Sequence, residues 1–132
     1  MYLESQDYWR LAGIFDDVWL YAKKDVHIFD WYATIDLDEN YLNAKLSLHI
    51  TVKNQSTTDK QNYKVRTSLF DANNVLVQDF TSDVFQISAD GTTTINASAL
   101  VKKPKKWTAE TPNLCRLTLE LINNEGKTEE VI

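Results

Sequence analysis

KKPKKWTAETPNLCRLTLEL, residues 102–121, carries the clearest structural signal in the chain. From Cys115 to Leu121 apolar residues alternate with polar ones, which is the period-two pattern of a strand with one buried face. Before this strand, Pro104 and Pro112 each remove a backbone donor and fix φ, so the segment is neither helix nor strand interior. Trp107 lies between them and offers a large ring that needs a pocket. We therefore predict a rigid corner, clipped down by Trp107, that carries the chain from one sheet of a β-sandwich to the other.

The sequence before this corner reads as a series of short strands separated by polar turns. The clearest strand runs from Ala44 to Val52, where every second residue is apolar and is expected to face inward. Further strands are predicted at 26–37, 63–70, 75–80, 84–87, 93–100, 114–122 and 127–132. Seven to eight strands with no helical period predict an all-β, immunoglobulin-like antiparallel β-sandwich.

The first residues of the chain differ from this pattern. Between Ile14 and Tyr21 apolar side chains occupy both parities, which predicts either a strand buried on both sides or one that belongs against something outside these residues. Lys23-Lys24-Asp25 then reads as a linker. The chain therefore divides into residues 1–24 and a sandwich domain at 25–132.

Composition excludes several classes of function. The chain has 132 residues, which is enough for one domain with a core but too few for a barrel enzyme. A net charge of −5 argues against binding to nucleic acid, which requires a basic face. The single cysteine makes neither an internal disulfide nor a zinc site. No apolar run approaches the length of a membrane span, and no signal peptide is visible.

One segment imitates the beginning of a calcium loop. Asp36, Asp38 and Asn40 have the D-x-D-x-N spacing, but Tyr41 and Ser47 stand where such a loop needs glycine and glutamate. A polar turn is the better interpretation of these residues.

Other candidate chemistry is weak. His27 and His49 have no neighbouring ligand pattern, so we predict no metal site. Cys115 is expected to be a small core residue. The four lysines between 102 and 106 predict a solvated loop, with a weak polyanion contact as the alternative. A small sandwich has a filled core and no deep cleft, so we predict no catalytic residue in this chain.

Two segments resemble the bacterial β-galactosidases of glycoside hydrolase family 2. Residues 6–15 and 17–21, QDYWRLAGIF and DVWLY, are similar to the end of the sugar-binding jelly roll of that family. Residues 104–114, PKKWTAETPNL, are similar to the family's corner motif NPKLWSAETPNLY, which belongs to its immunoglobulin-like second domain. The sequence departs from the family at Asp16, where Arg is usual, and at Cys115, where Tyr is usual.

This resemblance implies that residues 1–24 are the tail of the jelly roll and that residues 25–132 are the second domain. The family hydrolyses β-glycosides with retention, using two glutamates on a TIM barrel. The resemblance implies that this chain has no catalytic residue, is inactive alone, and serves as a spacer between the jelly roll and the barrel. β-Galactoside substrate would then be bound only by the longer enzyme.

Asp7 matches the aspartate that reaches from the family's jelly roll into the galactose pocket. The resemblance implies that it binds substrate in the full-length enzyme, because a carboxylate accepts hydrogen bonds from sugar hydroxyls or binds a hard cation. No cofactor is implied in this chain, whereas sodium or magnesium is implied in the longer enzyme.

Two alternatives remain at the level of sequence. A free carbohydrate-binding module would use Trp31 with Phe29 or Tyr32 as a platform for sugar rings. An immunoglobulin-like adhesion domain would self-associate instead. If the chain is a spacer, Phe29, Trp31 and Tyr32 are expected to be exposed, because the surface they contact lies elsewhere.

Overall fold

The computed structural model describes residues 13–14 and 16–132, so Asp7 lies outside the described residues. Within them the chain forms eight strands and no helix. The strands are β1 (Val26–Leu37), β2 (Asn43–Asn54), β3 (Lys60–Phe70), β4 (Leu76–Thr81), β5 (Phe85–Ile87), β6 (Thr92–Lys102), β7 (Arg116–Ile122) and β8 (Thr128–Val131).

In this part of the chain the strands form two antiparallel sheets. The first sheet has the order β1-β2-β6, and the second has the order β4-β3-β7-β8, with β5 also paired to β3. The corner between β6 and β7 therefore joins strands of different sheets. The predicted antiparallel, immunoglobulin-like β-sandwich is confirmed, and so is the crossing at the corner.

The core lies between the two sheets. Every second residue of β2 is buried, as the alternation predicts, because each of these side chains points at the opposite sheet. The second sheet contributes inward residues from β3, β5 and β7. Burial of the apolar side chains of both sheets supplies most of the favourable free energy of folding. The buried cluster contains Val26, Ile28, Leu46, Leu48, Ile50, Val52, Tyr63, Val65, Ile87, Val101, Leu119 and Leu121.

The corner before β7 is held by polar groups and not by its tryptophan. Trp107 is 62% exposed, so the prediction that its ring clips the corner down is wrong. The Thr108 hydroxyl instead accepts a hydrogen bond from the Thr111 amide at 3.0 Å. The Asn113 side-chain amide donates to the Lys106 carbonyl at 2.8 Å. These bonds satisfy backbone groups that two nearby prolines leave outside any ladder, so the loop is ordered without a buried ring.

Cys115 is exposed, so its predicted place in the core is also wrong. β7 begins one residue later, at Arg116, and its inward residues become fully buried only at Leu119 and Leu121. The alternation of the sequence predicted the direction of these side chains correctly. It did not predict that Cys115, directly before the strand, is left uncovered by the first sheet.

The acidic segment after β1 is a turn, as predicted. One carboxylate oxygen of Asp38 accepts from the Leu42 amide at 2.7 Å, and the other accepts from the Asn43 amide at 3.0 Å. The Asn43 side chain also donates to Asp38, at 2.9 Å. The hydrogen bond from the Leu42 backbone is the main cause that lowers the pKa of Asp38. These oxygens stabilise a turn, which accounts for the resemblance to a calcium loop.

The described residues before β1 form no strand. Val18, Trp19, Leu20 and Tyr21 are all exposed. The prediction of a strand buried on both sides is therefore wrong for the described part of this segment. That the segment belongs against another surface stays a prediction.

Four carboxylates should make this domain less stable as the pH is lowered into the acid range. The pKa values of Asp38, Asp71, Asp79 and Glu129 are all lowered. For Asp79 the first cause is its hydrogen bond from Arg66, whose Nη2 lies 2.8 Å from Oδ2. These groups bind protons more readily in the unfolded chain, so their stabilisation is present above the unfolded pKa of about 4 and is lost as pH falls through the lower folded pKa.

We therefore expect the urea midpoint to fall as the pH is lowered from about 7 to about 3. Chemical denaturation followed by tryptophan fluorescence measures this. Asp79→Asn should be less stable at neutral pH and should lose part of the pH dependence, because it removes one of the four groups. A midpoint that does not change over this range would contradict the prediction.

Candidate docking surfaces

The sandwich is open along the second half of β1. Ile35 pairs with Leu46 and Leu37 pairs with Ala44, and directly paired residues of antiparallel strands share one face of the sheet. Leu46 is 3% exposed, yet its neighbour Ile35 is 68% exposed. At the beginning of β1, Ile28 is buried on the same inner face. The second sheet therefore covers the first part of β1 and leaves the rest uncovered.

The uncovered end of β1 and the corner before β7 enclose an apolar groove with a volume of about 420 Å³. Its lining is mainly apolar and also includes Lys105 and Lys106 of the corner. Trp107 and Leu114 both line the groove and are exposed. A contiguous apolar surface of this kind on a small domain marks an interaction site. We define the groove by Ile35, Leu37, Leu46, Leu69, Trp107 and Leu114.

The aromatic residues of β1 are exposed, as predicted for Phe29, Trp31 and Tyr32. They do not form one platform. Trp31 pairs with the buried Ile50 and so belongs to the inner face, whereas Tyr32 pairs with His49 on the outer face. The sugar platform that combined Trp31 with Tyr32 is therefore wrong.

On the outer face each remaining ring already has a partner. Tyr32 stacks on His49 with ring centroids 4.4 Å apart. The Lys53 ammonium lies 5.6 Å from the centroid of Phe29, which occupies the irregularity in the pairing between β1 and β2. These contacts reduce the ring surface left for a sugar.

The predicted linker is bonded to the sandwich. The Lys24 ammonium lies 2.6 Å from a Glu129 carboxylate oxygen, and Lys23 lies 3.5 Å from Glu130. The Ile28 amide donates to Glu130 at 2.6 Å, and Lys23 donates to the Ile28 carbonyl at 2.8 Å. Side chains of β8 and of the linker thus occupy both hydrogen-bonding groups of one β1 residue. We name Lys23, Lys24, Glu129 and Glu130 the entry clamp.

Backbone groups of the same segment are also satisfied. The His27 ring nitrogen Nδ1 lies 2.9 Å from the Lys24 carbonyl oxygen, and the Gln55 amide donates to the Asp25 carbonyl at 2.8 Å. His27 is buried, and its contact with the Lys24 carbonyl is a structural one. Across residues 13–14 and 16–132, no three His, Cys, Asp or Glu side chains converge to hold a metal ion.

The sequence contained a signal for the groove that the strand assignment did not use. From Trp31 to Leu37 every second residue of β1 is apolar, which is typical of a strand whose one apolar face needs a contacting surface along its whole length. The entry clamp had no such signal, because its lysines and glutamates are about a hundred residues apart in the chain.

No helix in the described residues is long and apolar enough to cross a membrane.

The fold and these surfaces define an immunoglobulin-like β-sandwich domain with one open apolar side. Comparison with known proteins makes the assignment more specific. The profile of the glycosyl hydrolases family 2 matches residues 26–132. The chain belongs to this family, as the two sequence motifs predicted.

Curated relatives of the chain are much longer than it is. A β-galactosidase of Priestia megaterium is 37% identical over 131 residues, which are 98% of this chain and 12% of that protein. A β-galactosidase of Vibrio vulnificus is 36% identical over 129 residues, covering 95% of this chain and again 12% of the relative. The chain thus spans about an eighth of the length of these relatives.

Solved structures show the same fold. A β-glucuronidase of Bacteroides uniformis superimposes with a TM-score of 0.73 at 21% identity, over 82% of this chain and 14% of that chain. A β-glucuronidase from glycoside hydrolase family 2 gives a TM-score of 0.75 at 12% identity, over 83% of this chain and 12% of that chain.

Proposed function

We propose that this chain is a non-catalytic domain of a β-galactosidase-type glycoside hydrolase, in which it is a spacer between a sugar-binding jelly roll and a catalytic TIM barrel. The longer enzyme would hydrolyse terminal β-galactosides or related β-glycosides with retention, using two glutamates of the barrel. The observation that carries this proposal is the open apolar groove, found in a chain that spans only 12% of its β-galactosidase relatives.

A spacer contributes to catalysis by geometry. If the jelly roll and the barrel both line one sugar pocket, the domain between them sets the distance between the two linings. A displacement of about 1 Å in such positioning can reduce the rate about a hundredfold. The filled core and the two antiparallel sheets suit this role, because close-packed interiors resist deformation.

The proposal assigns a separate place to the beginning of the chain. Residues 1–24 would be the tail of the jelly roll and residues 25–132 the spacer. Asp7 would reach the galactose pocket of the longer enzyme and there bind a sugar hydroxyl or a sodium ion. Sodium or magnesium would be a cofactor of the longer enzyme and not of this chain.

The 132-residue chain alone should not hydrolyse nitrophenyl β-galactoside. The reason is that the two proposed glutamates lie on a barrel that is not part of these residues. Release of nitrophenol is measured with the chain and with the longer enzyme at equal molar concentration, the latter as the positive control. Turnover by the chain that persists through repurification would contradict the proposal.

A further inference from the structure

We propose that the entry clamp turns the connection before β1 into a rigid joint, which fixes the direction in which the chain before Lys23 leaves the sandwich. The value of a fixed direction for catalysis rests on the proposed spacer function. The rigidity itself is a property of this chain and is tested without the rest of an enzyme.

Bonds to the sandwich converge on three consecutive residues of the linker. Lys23, Lys24 and Asp25 each make at least one hydrogen bond or ion pair to the sandwich, through side-chain or backbone atoms. A flexible linker would leave such groups to water. Three bonded residues in sequence leave few free dihedral angles at the joint, so the segment has little conformational freedom.

The carboxylates of the clamp are also held in place by groups other than the lysines. The side chains of Glu129 and Glu130 are 18% and 17% exposed. Glu129 also accepts from the Asn123 side chain at 2.7 Å, and Glu130 accepts from the Ile28 amide. A single exposed ion pair contributes little, because ordering two long side chains opposes it, but a network whose members are already fixed avoids most of that loss.

The clamp lies at the outer edge of β1. Ile28 precedes the irregularity at which β1 shifts its register against β2. Among the described strands β1 is at the edge of its sheet, so the amide and carbonyl of Ile28 on that side have no neighbouring strand there. Glu130 and Lys23 replace that strand, and in doing so they join β8 to the segment before β1. The clamp therefore ties the second sheet to the entry of the first.

Electron spin resonance distances test the joint. In a Cys115→Ser background, nitroxides are attached at Ala22→Cys, directly before the clamp, and at Ser98→Cys, an exposed position on β6. We expect one narrow distance distribution for the parent chain. Glu129→Gln with Glu130→Gln should broaden it about twofold and raise the mobility of the nitroxide at position 22, because the charged partners of both lysines are removed.

The matched control is Glu120→Gln with Glu125→Gln, which removes the same charge from the same β7–β8 hairpin and leaves the clamp in place. It should keep the narrow distribution. Lys23→Gln with Lys24→Gln provides a second break of the clamp that leaves β8 unaltered, in case the glutamate variant does not fold. A parent distribution as broad as that of the lysine variant would overturn the rigid joint, whatever the longer enzyme does. Failure of the spacer function alone would leave the narrow distribution intact.

Discussion

Replacing Leu121 with alanine should lower the free energy of unfolding by about 3 kcal/mol, which is the largest stability effect we expect from a single substitution. Leu121 is completely buried in the strand that follows the corner, and it pairs with Val65 across the second sheet. Truncation removes its apolar contacts and leaves a cavity that the neighbouring strands fill only in part. Because domains of this size are stable by about 5–15 kcal/mol, the loss is a large part of the total.

Urea denaturation measures this loss. Leu100→Ala is the matched control, because Leu100 lies on β6 with its side chain exposed on the outer face. The control should change stability by less than about 0.5 kcal/mol. Equal midpoints for the two variants would show that the inner face of β7 is not the core of the sandwich.

A charge introduced into the groove should strongly reduce the activity of the longer enzyme and should leave the stability of this domain nearly unchanged. We expect Ile35→Asp with Leu114→Asp to lower kcat/KM about a hundredfold, because an unpaired carboxylate at a buried contact displaces the domain from its neighbour. Both side chains are exposed in this chain alone, at 68% and 67%, so its urea midpoint should change little.

The comparison requires both proteins. Activity is measured in the longer enzyme, and the urea midpoint is measured in the 132-residue chain. Val84→Asp serves as the control, because Val84 is also an exposed apolar residue but does not line the groove. If the groove variant retained the activity of the control, the groove would not be the contact through which this domain positions its neighbours.

The strands and their directions follow from local sequence. Alternation from Ala44 to Val52 predicted which side chains face the core, because neighbouring residues of a strand point to opposite faces. The turn at Asp38 followed equally from a short run of polar residues that bond to their own backbone. The two motifs, at residues 6–21 and 104–114, indicated the family, which the match over residues 26–132 confirms.

Local sequence failed where an outcome depended on the other sheet. Trp107 and Cys115 have the residue types of buried positions, and both are exposed. Their burial requires a surface opposite them, and the described strands do not supply one at this end of the sandwich. The apolar character of the groove residues can be read from the sequence, but the sequence does not show that they are exposed together on one surface.

The sequence by itself determined the strand order along the chain, the inward parity and the family, because each depends on residues close together or on a preserved motif. Only the tertiary structure decided which inward residues are covered. Ile35 and Leu46 are paired neighbours on one face, but the opposite sheet reaches only one of them. The tertiary structure also decided that Lys24 contacts Glu129, a residue 105 positions away. No local sequence pattern specifies a contact between the first and the last part of a domain.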